Sequence, residues 1–283
     1  MQELPKGINT VGIVPISGRA DTAGAAVPDC LLPLAPGINC LQRSIVECAY
    51  VGCSSIWVIC SDDTLPLARK LVGDYVLDPV IYESWNYKKV PELSKQYIPI
   101  FYTPVLQKDR NRRDTIGWSV IHGALTSFLV SSKISKWAAP KNYFVSFPYG
   151  IVDPKTVRKV RAKVRAGKNI YASFRGQTVR EGLYLPFSFT PDNWISFRRN
   201  VNENNTGGDK SLPLSERWSA KNFTLDKIFY HDNIVIDEYL EFEKYYDLDS
   251  WESYSEYFSS DLVIRKIPTG MSKPFFIRKE EVE

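Results

Sequence analysis

Histidine and cysteine are scarce in this sequence, and those present do not form a metal-binding or nucleophile pattern. The only two histidines among 283 residues, His122 and His231, stand far apart. The five cysteines all lie within the first 60 residues, without a Cys-x-x-Cys pair. This distribution excludes the common zinc motifs and a Cys–His catalytic pair. An odd number of cysteines on apolar segments predicts reduced thiols in the core of a cytoplasmic protein.

Long hydrophobic runs are absent as well. No apolar stretch reaches the roughly 18 residues of a membrane-spanning helix, and the segment Met1–Gly7 has no hydrophobic signal core. We therefore predict a cytoplasmic protein without membrane contact. The net charge of +4 is a mild excess. It suits anionic small molecules and does not by itself indicate nucleic acid.

Apolar runs and helical patterns alternate through the first 174 residues. Val11–Ser17 is typical of a buried parallel strand, and Leu41–Tyr50 follows as a helix that Gly52 ends. Further strands are predicted at Ser55–Cys60, Asp78–Tyr82, Ile98–Tyr102, Asn142–Phe147 and Asn169–Phe174. Further helices are predicted from Asp63 to about Gly73, at Thr115–Ser131 and at Lys155–Arg165. In the second of these, Phe128 and Leu129 are among the residues expected to point inward. This order predicts an α/β fold with a mostly parallel central sheet, Rossmann-like, and helices on both faces.

Aromatic residues are concentrated after Tyr143, and from Arg175 they lie in short segments that alternate with a polar loop. We predict that residues 1–174 form a nucleotide-binding α/β core and that residues 175–240 form a smaller antiparallel, aromatic-rich lobe on the substrate side. Residues 241–283 are predicted to return to the core, so that the chain forms one domain. Four aromatic side chains of the lobe either stack on a sugar or base or simply pack together, namely Tyr184, Phe187, Phe189 and Trp194.

The turn Ser17-Gly18-Arg19 ends the first predicted strand. In open α/β sheets, ligands lie at such strand ends, where backbone N–H groups and a helix N-terminus can meet phosphates. We therefore expect the Gly18 backbone to bind phosphate and Arg19 to clamp a diphosphate or triphosphate. A plain glycine turn followed by a surface arginine is the alternative.

Two charged clusters are further candidate sites. Asp247 and Asp249, two residues apart, point to one side of an extended segment and suit Mg²⁺ or Mn²⁺. Alternatively, Asp249 caps the next helix and Asp247 is solvated. The predicted loop Gln107–Asp114 carries three arginines that could hold phosphates of a substrate or a nucleic acid, or stay solvated, namely Arg110, Arg112 and Arg113.

The order of these segments resembles the nucleotide-diphospho-sugar transferase superfamily, which has a GT-A-like fold, and in particular its nucleotidyltransferases. That family begins with a strand, Gly-x-Gly-x-Arg, a loop, Pro-Lys-x-Leu-x-Pro and a helix. Here these correspond to Pro15-Ile-Ser-Gly-Arg19, Pro28-Asp-Cys-Leu-Leu-Pro33 and the helix from Leu41. The segment Thr115–Ser119 is similar to the family's helix start against the base, and Tyr246–Tyr254 to its closing acidic motif.

The resemblance implies where a nucleotide or nucleotide-sugar would bind. Its phosphates would lie on the first turn and its base near the second helix start, on Pro15, Ile16, Ser17, Gly18, Arg19, Thr115, Gly117 and Ser119. Catalytic roles fall to Arg19, Asp247 and Asp249, with the two acids holding Mg²⁺ or Mn²⁺.

Two positions depart from the family pattern. Asp29 stands where the family has its catalytic lysine, so that we expect a charge that repels phosphate. Tyr149 stands where the family has its first metal-binding aspartate, and a phenol cannot replace a carboxylate on Mg²⁺.

Two functional hypotheses remain open. One is a transferase that binds a nucleotide or nucleotide-sugar and transfers a nucleotidyl or sugar group to a small molecule or, alternatively, a nucleic acid. The other is a catalytically degenerate protein of the same fold with a binding or structural role.

Overall fold

The first strand lies in the middle of a nine-stranded sheet. The computed structural model describes residues 9–19, 21–84, 97–214, 216–221, 223–230, 234–262, 264 and 275–281. Its strands are β1 (Thr10–Pro15), β2 (Pro33–Ala35), β3 (Ile38–Asn39), β4 (Ser55–Cys60), β5 (Tyr75–Leu77), β6 (Tyr97–Pro104), β7 (Asn142–Val145), β8 (Gly150–Ile151), β9 (Ile170–Ser173), β10 (Phe187–Phe189), β11 (Glu238–Glu241), β12 (Tyr246–Asp247) and β13 (Phe276–Ile277). Its α-helices are α1 (Cys40–Val51), α2 (Leu65–Val72), α3 (Pro79–Ser84), α4 (Gln107–Arg113), α5 (Ile116–Ile134), α6 (Arg161–Arg165), α7 (Pro191–Asn204), α8 (Leu225–Phe229) and α9 (Trp251–Ser259).

The main sheet is parallel at its centre. Its strand order is β11-β9-β10-β7-β1-β4-β6-β5-β13. β1 pairs in parallel with β4 and β7, and β4 pairs in parallel with β6, so four central strands end at one edge. β10, β5 and β13 are antiparallel to their neighbours, and β2–β3 and β8–β12 form two small antiparallel sheets. The predicted α/β class with a mostly parallel central sheet is therefore confirmed.

Residues 175–240 add both strands and helices to this framework. β10 joins the main sheet between β9 and β7, and α7 and α8 follow it. Phe187 and Phe189 are fully buried. Both contact the ring of Phe197, and Phe187 also contacts that of Phe229. These aromatic side chains thus form core packing.

The first helix illustrates how local sequence sets the framework. Asn39 caps α1 by accepting a hydrogen bond from the Gln42 backbone N–H, and Gly52 ends the helix in the left-handed conformation. Nearly all of α1 is buried, because it packs between the main sheet and the 3-10 helix at 154–160.

A second, smaller hydrophobic cluster packs the segment 23–40 against the segment 248–264. It consists of Ala23, Leu32, Leu34, Ile38, Cys40, Ile151, Leu248, Tyr254, Tyr257 and Ile264. The Tyr257 hydroxyl donates to the Leu34 carbonyl at 2.9 Å, and the Tyr254 hydroxyl donates to the Pro33 carbonyl. The segment around β12 and α9 is thereby fixed to the loop that follows β1.

Three expectations about local structure were wrong. The predicted strand Asp78–Tyr82 is helix α3 instead, because Asp78 accepts hydrogen bonds from two N–H groups of its first turn. The predicted loop Gln107–Asp114 contains helix α4, whose buried Asp109 gives it an inner face. Phe128 and Leu129, predicted to point inward, are exposed, because the 19-residue helix α5 outruns the six-residue strand β1 beneath it.

All five cysteine thiols are free and buried, as predicted. Of the helices in the described ranges, none combines the length and apolar character needed to cross a membrane. The second histidine, His231, lies outside the described residues.

Candidate functional site

The turn after β1 rests directly on the start of helix α5. Gly18 has φ +92°, and a Cβ atom there would lie 2.2 Å from the carbonyl carbon of Thr115. Only glycine fits this approach. The Ser119 hydroxyl donates to the Ser17 carbonyl at 2.9 Å. The structure thus brings together the two segments that the sequence singled out as phosphate side and base side.

The backbone of this turn leaves two donors open. The N–H groups of Ile16 and Ser17 both donate to the Ile59 carbonyl, at 2.8 and 3.1 Å. For the next two residues, Gly18 and Arg19, the described part of the chain provides no acceptor for the backbone N–H. Open N–H groups beside the N-terminus of a 19-residue helix are suited to an anion.

Thr115, Gly117 and Ser119, which the resemblance places near the base, are buried. They shape the site and do not present polar side chains to a ligand. The Thr115 hydroxyl accepts the Trp118 backbone N–H at 3.2 Å and caps α5. A Cβ at Gly117 would lie 2.4 Å from the Ile228 side chain, so this glycine admits α8. Ser119 is buried, as are Pro15 and Ile16 on the strand side. These buried residues form the surface against which the turn packs.

Arg19 is the most heavily engaged side chain of the site. Its Nη1 pairs with Asp29 at 3.1 Å, and its Nη2 pairs with Asp249 at 2.8 Å and donates to the Leu248 carbonyl at 2.7 Å. The guanidinium carbon lies 4.5 Å from the ring centroid of Tyr149 and 5.4 Å from that of Tyr184. Only 8% of the side chain is exposed. Arg19 is therefore not a solvated surface side chain.

Asp29 is buried beneath the site. Its carboxylate is 0% exposed and accepts the Thr22 backbone N–H at 2.8 Å, while its own N–H donates to Asp21. The negative charge that was expected to repel phosphate is thus enclosed by the loop 21–29 and paired with Arg19.

Tyr149 also points into the protein. It is buried, and its hydroxyl donates to the Ile16 carbonyl at 3.2 Å. Its own carbonyl accepts the Leu248 N–H at 2.9 Å, which attaches the C-terminal segment to the end of the central strands.

Asp247 and Asp249 lie on this C-terminal segment. One oxygen of Asp247, Oδ2, accepts the Tyr245 hydroxyl at 2.8 Å, and the other, Oδ1, is buried without a partner in the described residues. Burial, with a smaller contribution from the charge of Asp249, raises the pKa of Asp247 to about 6, although the Tyr245 hydrogen bond lowers it. Asp249 does not cap the helix, because Ser250 caps α9. Asp247 is half-buried with its Oδ1 enclosed, so its carboxylate is not simply solvated.

The residues present fit a divalent cation in part. Among the described residues, Arg19 is the cation paired with this cluster of Asp29, Asp247 and Asp249, so the cluster carries excess negative charge. The orphaned Oδ1 of Asp247 is an oxygen of the kind that Mg²⁺ and Mn²⁺ prefer. Within the described ranges, however, no group of three or more His, Cys, Asp or Glu side chains could hold a metal ion. Any further ligands would have to come from phosphate oxygens and water.

The three arginines of α4 lie immediately before the start of α5. Arg110 pairs with Asp62, and the Arg113 guanidinium lies 4.6 Å from the Trp118 ring centroid. Arg112 is exposed. Asp114, which follows them, accepts the Ser17 hydroxyl at 3.3 Å, so this basic helix borders the site.

Tyr245 has no signal in the sequence, and Tyr184 stands out there only as an aromatic that stacks on a ligand or packs. Tyr184 covers one face of Arg19, and its backbone N–H donates to the Tyr245 hydroxyl at 3.1 Å. That hydroxyl in turn donates to Asp247. The two tyrosines are 61 residues apart, and nothing in their local sequence indicates this contact.

Comparison with known proteins shows similarity of fold. No protein-family model and no curated protein sequence matches the chain. A structure from Bacillus anthracis, assigned as a glucose-1-phosphate thymidylyltransferase and solved with sucrose, has a TM-score of 0.55 at 8% identity, over 91% of this chain and 98% of the other. Rv0371c from Mycobacterium tuberculosis H37Rv gives 0.49 at 12% identity, over 90% and 100%, and is also known in complex with manganese. A UDP-glucose pyrophosphorylase complexed with UDP-glucose gives 0.48 at 14% identity, over 88% and 97%.

The first of these likenesses covers nearly the whole of both chains. The chain therefore has a nucleotide-diphospho-sugar transferase-like fold, as the sequence motifs predicted.

Proposed function

We propose that the chain binds the diphosphate of a nucleotide or nucleotide-sugar at the Ser17–Arg19 turn and transfers a nucleotidyl or sugar group. The observation that carries this proposal is the pair of open N–H groups at Gly18 and Arg19. They lie at the end of a central parallel strand and beside the N-terminus of α5. This is the place where α/β sheets bind phosphorylated ligands.

The chain's own residues have distinct roles in this proposal. The Gly18 and Arg19 N–H groups donate to phosphate oxygens, and the Arg19 guanidinium neutralises their charge. The base lies near Thr115, Gly117 and Ser119. Because phosphoryl and glycosyl transfer build up charge on phosphate oxygens, positioning and neutralisation are the contributions that these residues can make.

Mg²⁺ or Mn²⁺ belongs to the proposal through Asp247 and Asp249. The buried Oδ1 of Asp247 and the exposed carboxylate of Asp249 would hold it. When bound, such a cation neutralises phosphate charge and favours departure of the leaving group.

The proposal also assigns a role to each part of the chain. Residues 1–174 bind the nucleotide, and residues 175–240 face the acceptor. Residues 241–283 return to the core with the two acidic residues. A neighbour of the same fold is assigned as a glucose-1-phosphate thymidylyltransferase, which supports a nucleotide-sugar as the ligand class.

A binding or structural role without catalysis is the second candidate function. The specific observation that favours it is the state of Arg19. Both of its Nη atoms already have acceptors, namely Asp29, Asp249 and the Leu248 carbonyl. With Asp29 and Tyr149 at the two departing positions, the fold could keep its ligand site and lack turnover.

Thermal and denaturant unfolding with a ligand panel tests the proposal. The panel contains nucleoside mono-, di- and triphosphates and their sugar derivatives, each with Mg²⁺, with Mn²⁺ and with EDTA. A ligand at about 100 times its Kd should add about 2.7 kcal/mol to the free energy of unfolding. The Arg19→Met variant should lose this gain. Arg198→Met is the matched control, because Arg198 is exposed on α7 and contacts the Trp194 ring instead.

The outcomes separate the two candidate functions. No stabilisation by any ligand would refute the nucleotide proposal. Stabilisation together with release of pyrophosphate or of a nucleoside diphosphate supports the transferase. Stabilisation without turnover of any panel member, tested with sugar phosphates as acceptors, supports the binding role.

A further inference from the structure

We infer that the two departures from the family pattern, Asp29 and Tyr149, are positioning residues for Arg19, which carries the anion-binding charge of the site. The inference rests on the proposed function and explains why the lysine and the aspartate of the family are both replaced. Arg19, Asp29 and Tyr149 form one unit, in which each residue occupies space or balances charge for the others.

Asp29 holds one edge of the guanidinium. Its Oδ2 is 3.1 Å from Arg19 Nη1, and the carboxylate is fully enclosed. An enclosed carboxylate needs a cationic partner and further donors, which Arg19 and the N–H groups of Thr22 and Ala23 supply. A lysine at this position would instead set a second cation against Arg19. Aspartate at position 29 therefore suits the observed orientation of Arg19.

Tyr149 supports the flat face of the same guanidinium. Its ring centroid is 4.5 Å from the guanidinium carbon, and its hydroxyl is fixed by the Ile16 carbonyl. Tyr184 adds a second ring at 5.4 Å. Two aromatic faces hold an arginine favourably. An aspartate at position 149 would be too short to provide this surface, so the two replacements belong together.

The remaining edge of Arg19 faces an exchangeable partner. Nη2 pairs with Asp249, whose side chain is 66% exposed, whereas Nη1 pairs with the buried Asp29. A phosphate group can replace the exposed carboxylate and leave the buried pair intact. Asp29 and Tyr149 would then keep the guanidinium fork oriented while the anion is exchanged.

Titration with inorganic pyrophosphate at constant Mg²⁺ tests this unit, measured by calorimetry. Arg19→Met should weaken binding about 10- to 100-fold, since it removes charge-assisted hydrogen bonds. Tyr149→Leu should weaken it about 3- to 30-fold through loss of the aromatic face. Tyr149→Phe keeps that face and should bind within about 3-fold of the wild type, although it loses the bond to Ile16. If Tyr149 acted only through the hydrogen bond of its hydroxyl, Tyr149→Phe would weaken pyrophosphate binding as much as Tyr149→Leu does.

Asp29→Asn tests the buried edge and should also weaken pyrophosphate binding. If that variant does not fold, the Tyr149 pair decides the matter alone. Arg198→Met, which removes an exposed arginine from an aromatic ring elsewhere, should leave binding unchanged.

The inference is wrong if pyrophosphate does not bind the wild type, or if Arg19→Met or Tyr149→Leu binds it like the wild type. Nucleotide binding that survives Arg19→Met would overturn the inference and leave the proposed function in place. Pyrophosphate binding that depends on Arg19, in a chain that no nucleotide stabilises, would support the inference and refute the proposed function.

Discussion

A buried ion pair on helix α1 holds the strand end that leads to the site. Arg43 and Glu47, one helical turn apart, are both 0% exposed and paired. Arg43 Nη2 donates to the Phe147 carbonyl at 2.6 Å, and the Ser146 hydroxyl donates to Glu47 at 2.5 Å. Replacing Arg43 by Met leaves Glu47 enclosed without its partner charge. We expect a loss of about 3–5 kcal/mol in the free energy of unfolding. That is a large part of the roughly 5–15 kcal/mol typical of a folded domain.

The unfolding free energy lost in Arg43→Met should depend on pH. Burial raises the pKa of Glu47 to about 7, although the Arg43 charge lowers it. A carboxyl whose pKa is raised in the fold favours folding most below its unfolded pKa, and this contribution is lost as the pH rises through the folded pKa. Loss of Arg43 raises that pKa further. Arg43→Met should therefore be more destabilising at pH 8 than at pH 5.

Urea unfolding followed by tryptophan fluorescence and circular dichroism measures the effect, with the slope m checked for constancy. The matched control is Arg199→Met on α7, where Arg199 and Glu203 have the same spacing at 4.0 Å but are 63% and 66% exposed. It should cost less than about 1 kcal/mol. The double variant Arg43→Met with Glu47→Leu should recover most of the loss, because no unpaired charge remains. An Arg43→Met variant no less stable than the Arg199→Met control would refute the reasoning.

Three further predictions concern the turn, a buried histidine and the basic helix. Gly18→Ala should cost about 2 kcal/mol or more in urea unfolding and abolish nucleotide stabilisation, since its φ is +92° and its Cβ would meet Thr115. Burial lowers the pKa of His122, so its contribution to stability is present above its unfolded pKa and lost as the pH falls. His122→Asn should flatten the acid decline below pH about 6.5, by at most about 1.4 kcal/mol per pH unit, and an unchanged pH profile would contradict this. If α4 meets nucleic acid, retention on DNA should fall with salt and should vanish when three arginines become alanine, namely Arg110, Arg112 and Arg113.

The central strands and α1 could be predicted because their local sequence agrees with their environment. Ser55–Cys60 is buried almost throughout and reads as one apolar run, and its predicted bounds match β4. Leu41–Tyr50 has a helical period and a glycine stop, and α1 extends it by one residue at each end. Such segments need no knowledge of distant partners.

Other elements depend on contacts that local sequence does not contain. The sequence of helix α4 is a run of charged residues that predicts a loop. The helix has an inner face because Asp109 is buried against the rest of the fold. The same applies to the site. Arg19 pairs with Asp249, which is 230 residues away, and that contact exists only because α9 docks on the loop after β1. Sequence motifs named both residues but could not show that they meet.

The roles of the departing positions also required the structure. Asp29 in place of a lysine predicts repulsion of phosphate when only residue types are compared. Its burial and its pairing with Arg19 change that expectation. The charge that a ligand meets is therefore the combined charge of Arg19, Asp29 and the exposed Asp249.

The most direct test of the account is a crystal structure of the chain with the nucleotide or nucleotide-sugar that stabilises it most. The account predicts diphosphate oxygens about 3 Å from the backbone nitrogens of Gly18 and Arg19, with the base on the start of α5. It also predicts that Arg19 remains paired with Asp29 while a phosphate replaces Asp249. A ligand bound elsewhere on the chain, with no contact to the Gly18 and Arg19 N–H groups, would contradict it.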